Sequence, residues 1–114
     1  MKSIIILSIG LIFSIKIHAQ STIQTTTIAV KGNCDECKER IENAADIKGV
    51  KNAIWKEETH ILTVTFDSKK VTLEQIEKTI AKSGHETGNQ KADSSAYSTL
   101  PSCCKYQSTD CKKK

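Results

Sequence analysis

The sequence predicts an α+β fold, with one antiparallel sheet carrying two helices on a single face. Three observations support this. Residues 25–31 and 61–66 are rich in β-branched residues and place apolar side chains two apart, at Ile28 and Val30 and at Leu62, Val64 and Phe66, as half-buried strands do. The stretch after Asn33 and the stretch after Val71 repeat apolar residues at helical spacing. Breaks containing glycine or polar residues separate these segments at the intervals of a small domain.

The elements follow in order. Thr25 to Lys31 is the first strand, with Ile28 and Val30 facing the core, and Gly32-Asn33 ends it. A helix runs from Asp35 to Ile47, with Cys37, Ile41, Ala44 and Ala45 on one face, until Gly49 stops it. Val50 to Lys56 is the second strand, with Ala53 and Trp55 on one side. Glu57 to His60 forms a hairpin loop, and Ile61 to Phe66 is the clearest strand, with Leu62, Val64 and Phe66 inward. Thr72-Leu73-Glu74-Gln75 is a capping box, Val71 staples onto Ile76, and Leu73, Ile76 and Ile80 form the buried stripe of a second helix that Gly84 ends. His85-Glu86-Thr87 starts a short last strand. The order is βαββαβ, the ferredoxin-like sandwich. On this reading the domain spans 24–87 and already holds its sheet and both helices at Thr87. Residues 88–114 form a polar linker to Ala96, a short docking segment anchored by Tyr97, Leu100 and Tyr106, and a tail ending in Lys112, Lys113 and Lys114.

Residues 1–19 are set apart. A basic start, an almost wholly apolar run from Ser3 to Ile15 and the small residue Ala19 have the form of a secretory signal peptide. The run is short for a membrane span, and the alternative is an uncleaved anchor. The expected protein is exported, to the periplasm or beyond the cell, without stable membrane insertion after cleavage. Without Lys2 and Lys16 the chain has 15 basic against 13 acidic residues. That balance and the scarcity of aromatics argue against nucleic acid as a partner. No Ser/His/Asp set, phosphate loop or paired-carboxylate cleft is visible, so the sequence does not read as an enzyme.

The chemistry lies in the cysteines, five in all. Cys34 and Cys37 flank Asp35-Glu36 at the first turn of the first helix, where the helix N-terminus favours thiolate over thiol. Two thiolates at this spacing can grip one soft metal ion. A local disulfide and a thiol-redox site are the other readings. Redox proteins of the thioredoxin type usually place an aromatic before the first cysteine and a proline facing the pair; here Asn33 precedes Cys34, and the one proline is Pro101. Cys103 and Cys104 sit in the docking segment. They read as further ligands at the same site, as disulfide partners, or as without a role, and Cys111 reads as peripheral. Glu39, Arg40 and Glu42 read as a solvated helix face.

Residues 25–87 resemble the heavy-metal-associated domain of small copper chaperones, mercury-binding periplasmic proteins and metal-pump N-terminal domains. The resemblance is carried by Cys34-x-x-Cys37 followed by Ile41-Glu42, by Gly49-Val50, by the strand Leu62-x-Val64-x-Phe66-Asp67, and by Ile76, Ile80 and Gly84. It implies one soft ion at Cys34 and Cys37, Cu(I) first, with Zn(II), Cd(II) or Hg(II) as alternatives. It implies a metal-transporting ATPase, an efflux component or a recipient metalloprotein as partner, and a monomer or metal-bridged dimer. It also brings His85 beside the cysteine pair, as a third ligand, a proton-sensitive neighbour or an exposed loop residue, and puts His60 in the opposite, solvent-facing hairpin loop. Two departures stand out. The family usually has Met where this chain has Gly32, which predicts a looser loop. Between the cysteines it usually has small or uncharged residues; Asp35 and Glu36 add carboxylates that favour Zn(II) or Cd(II).

Overall fold

The computed structural model describes residues 21–107. The segment expected to be a signal peptide, Cys111 and the terminal lysines lie outside them. The described elements are β1 (Ile23–Ala29), α1 (Asp35–Ala45), β2 (Val50–Lys56), β3 (Ile61–Asp67), α2 (Leu73–Lys82), α3 (Ser94–Ser98) and a 3₁₀ turn at Ser102–Cys104. The sheet has the order β1-β3-β2 and is antiparallel throughout. β3 is central, and its inward residues Leu62, Val64 and Phe66 are buried against Ile41, Ile76 and Ile80 from the two helices. This is the α+β ferredoxin-like arrangement. No helix among the described residues is long and apolar enough to cross a membrane.

The last strand is reduced to a single bridge between Val30 and Thr87. The cause is local. Thr87 Oγ1 accepts hydrogen bonds from the backbone N–H groups of Asn89 and Gln90, at 3.3 and 3.0 Å, and this side-chain turn bends the chain away before a ladder can extend. The predicted capping box is present. Thr72 Oγ1 accepts from Gln75 N, and Gln75 Oε1 accepts from Thr72 N. α1 ends at Ala45 rather than Ile47, because Asp46 leaves the helical conformation.

Glu42 is not a merely solvated residue. Its carboxylate accepts from Lys38 Nζ at 2.7 Å and from the backbone N–H of Trp55 at 2.9 Å, while Lys38 Nζ also donates to Trp55 O. The pair thereby satisfies both polar backbone groups of Trp55 on an edge strand.

The segment beyond Thr87 packs against the domain, and its linker part carries α3. Asp93 caps α3 by accepting from Ser95 N and Ala96 N, and its own N–H donates to Ala81 O at the end of α2. Gly84, with φ of 101°, meets the Ala96 backbone so closely that a Cβ there would stand 3.1 Å from it. Leu100 and Cys104 enter the core outright, at 5% and 0% exposure. Tyr106 donates its hydroxyl proton to Gly84 O at 2.8 Å and accepts from Glu86 N at 3.0 Å. The core therefore extends past Thr87, and the docking segment closes over the end of the sandwich where β1 meets α1.

Candidate metal centre

Gly32 and Asn33 turn the chain out of the sheet, and Cys34 takes the extended N-cap position of α1 with φ of −150°. Cys37 lies one turn on and is fully buried, while Cys34 is half-buried. The loop ahead of them is pinned by two buried rings. Trp55 Nε1 donates to Val30 O at 3.0 Å, and His85 Nδ1 donates to Lys31 O at 2.8 Å.

The space of the absent family methionine is filled by another side chain. A Cβ on Gly32 would stand 3.0–3.1 Å from the Trp55 ring and the Cys37 Cβ. The Trp55 indole therefore occupies the space beneath the loop, and glycine is what lets it approach. Sequence reasoning placed Trp55 in the core but missed this pairing, which joins residues 23 positions apart and leaves no local pattern.

The sulfur atoms converge. Cys34 Sγ lies 3.4 Å from Cys37 Sγ and 3.8 Å from Cys104 Sγ. All three sulfurs lie within 4.8 Å of one another. An ion about 2.3 Å from each of three thiolates in a plane puts the sulfurs about 4 Å apart, so the spacing suits three-coordinate binding. Cys103 is placed differently from its neighbour. Its carbonyl oxygen faces Cys34 Sγ at 3.4 Å, while its thiol donates to Glu36 Oε2 at 3.1 Å and lies 4.0 Å from Cys104 Sγ.

The protonation pattern follows the surroundings. Burial raises the Cys34 pKa, but hydrogen bonds from the Cys37 backbone and from the Cys37, Cys103 and Cys104 side chains outweigh it, leaving Cys34 below the ordinary thiol range. Burial pushes Cys37 up. The hydrogen bond to Glu36 holds Cys103 as a thiol, at about 12. Burial and the neighbouring Cys37 and Cys34 push Cys104 up as well. Cys34 is the thiol of the group that ionises most readily, and a cation held here would have to displace the protons of its other thiol ligands.

His85 is neither exposed nor among the groups of close-set ligand atoms in the described residues. It is wholly buried with a neutral ring, because burial lowers its pKa more than the Lys31 carbonyl raises it. With Nδ1 donating, Nε2 is a bare acceptor that has no hydrogen-bond partner in the described residues. His60 is exposed as expected, but its hairpin is at the same end of the sandwich as the cysteine loop. Val30 N donates to His60 O, its ring stacks on Trp55 at 5.9 Å, and it lines an open cleft with Lys31, Gly32, Asn33 and Tyr106. The error was topological. An even number of strand reversals returns the chain to the first loop's end.

Residues 27–86 match the heavy-metal-associated domain family. The copper chaperone CopZ of Staphylococcus saprophyticus is 38% identical over 64 residues, which are 54% of this chain and 94% of that protein. The heavy metal-associated isoprenylated plant protein 20 of Arabidopsis thaliana is 36% identical over 66 residues. The aligned part is 56% of this chain, and the chain spans only 43% of the plant protein's length. Among solved structures, oxidized MerP from Ralstonia metallidurans superimposes with a TM-score of 0.55 at 30% identity, covering 60% of this chain and 99% of that one.

Proposed function

Since the chain belongs to the heavy-metal-associated domain family, we propose that it binds one soft cation, Cu(I) before others, through the Cys34 and Cys37 thiolates with Cys104 as a third, and hands it on by thiolate exchange. The observation that carries this reading is the convergence of the three sulfurs within 4.8 Å at a helix start. Soft thiolates select Cu(I), and the three-sulfur set found among the described residues suits it better than a tetrahedral ion. The likeness to a copper chaperone supports the same choice. A chelating partner then replaces one thiolate at a time, so the ion moves without being released free. The recipients are a metal-transporting ATPase, an efflux component or a metalloprotein.

The reading includes export, on the strength of the N-terminal apolar stretch. A second reading is a scavenger of Zn(II), Cd(II) or Hg(II), favoured by the extra thiolate and by Glu36 at 3.1 Å from Cys103.

Competition for Cu(I) against a chromophoric chelator tests the proposal. Cys34→Ser and Cys37→Ser are expected to weaken binding by orders of magnitude with circular dichroism unchanged. X-ray absorption on the chain loaded with one equivalent of Cu(I) is expected to count three sulfurs, and two in Cys104→Ser. Unchanged affinity in both single variants would sink the site. Zn(II) binding tighter than Cu(I) would favour the scavenger.

A further inference from the structure

Cys104 belongs to two groups of ligand atoms. One is Cys34, Cys37 and Cys104; the other is Glu36, Cys103 and Cys104, and within each the ligand atoms lie within 4.8 Å of one another. Four sulfurs thus form a continuous row, Cys37–Cys34–Cys104–Cys103, with steps of 3.4, 3.8 and 4.0 Å. Cys37 and Cys104 are buried and Cys34 is half-buried, while the half-exposed Cys103 ends the row with its thiol in contact with the exposed Glu36 carboxylate.

We propose that this chain holds a second soft monovalent cation, of the Cu(I) type, between Cys103 and Cys104 beside Glu36, with the Cys104 sulfur bridging it to the first ion. The inference rests on the reading of Cys34, Cys37 and Cys104 as the first ion's ligands, and extends it to a two-ion centre.

Three arguments support the second position. The first is spacing. Adjacent cysteines must close to about 2 Å between sulfurs to form a strained disulfide, whereas here they already stand 4.0 Å apart, a separation that one ion can span. The second is coordination number. Among the described residues each position offers three protein ligands with one shared, which is sufficient for Cu(I) and short of the four that Zn(II) takes in closed sites. The third is charge. Four thiolates around a single Cu(I) would leave an excess of three negative charges in a half-buried site, and a second cation lowers it. Each cysteine that ligates releases its thiol proton to solvent, and no redox change is involved.

The test is the number of Cu(I) ions bound per chain. The purified, fully reduced protein in a Cys111→Ser background is titrated with Cu(I) against a chromophoric chelator, and the loaded species is weighed by native mass spectrometry. Two ions on a monomer are expected. Cys103→Ser is expected to hold one, still bound through Cys34, Cys37 and Cys104. Saturation at one ion in both proteins would overturn the second position, and so would two ions persisting in Cys103→Ser or two ions found only on a dimer. A Cys34→Ser/Cys37→Ser double variant separates the two proposals. One ion in the reference protein, lost in the double variant, would leave the first site standing and remove the second. Full Cu(I) binding in the double variant would overturn the first site and, with it, the bridged centre.

Discussion

Leu100→Ala should open the docking segment and leave the sandwich standing. Leu100 is 5% exposed and packs in the main core, although it reaches the chain's compact part only through residues after Thr87. Its truncation removes about 2–3 kcal/mol of burial and packing, which is about a 30- to 150-fold shift toward the undocked segment. The segment has little to spare. Besides Leu100 only the small Cys104 among the segment's residues is fully buried, with Tyr97, Cys103 and Tyr106 partly so, and each ordered residue costs about 1–2 kcal/mol of backbone freedom. Amide hydrogen exchange is the assay. The N–H groups of Leu100, Cys104 and Tyr106, bonded to Tyr97 O, Pro101 O and Cys104 O, should exchange about 30- to 150-fold faster, with β3 amides unchanged at neutral pH. Equal acceleration in β3 and in the segment would refute the reasoning, because the two would then unfold as one unit. Slow exchange retained at Cys104 would refute it too.

Two further outcomes follow from the site's surroundings. Gly32→Met should destabilise the fold by about 1–3 kcal/mol by overpacking, and Gly32→Met/Trp55→Leu should recover much of that loss; additive costs in chemical denaturation would show that the two positions do not share one space. Stability should also fall as pH drops below the ordinary histidine value of 6.5. His85 has a lowered folded pKa, so the unfolded chain takes the proton first; the contribution is complete above 6.5 and is lost as pH falls toward the folded value. Denaturation midpoints at pH 7.5 and 5 should differ less in His85→Gln than in the parent.

The parts of the fold legible in the sequence are those written locally. The capping box at Thr72, the alternation of Leu62, Val64 and Phe66, and the stripe of Ile76 and Ile80 each depend on neighbours a few positions away, and the structure reproduces them. The cysteine pair was equally visible, because a helix start and a two-residue spacing are local features. What escaped was non-local. Nothing near Gly32 announces that Trp55 fills its place, and nothing near His85 announces that its ring is buried under the loop with one nitrogen bonded to Lys31 O. Cys103 and Cys104 are neighbours in sequence. Only the path of the 3₁₀ turn sends one sulfur to Glu36 and the other toward Cys34 and Cys37. Glu42 looked like surface because its partner is an edge strand reached across the fold.

An ion shared by Cys34 and Cys104 ties together residues 70 positions apart. In the unfolded chain that tie closes a loop of the same length, and the chain entropy it removes is worth about 4 kcal/mol at 25 °C. On the transfer reading proposed above, the ion would thus also be a reversible staple. With the ion bound, the chain would resist unfolding and its last segment would stay shut. If a recipient's thiolates took the ion, the staple would go with it, and the emptied protein would be the more easily cleaved of the two forms. Delivery and lifetime would then be linked, because the form without its ion is the one a protease would meet open.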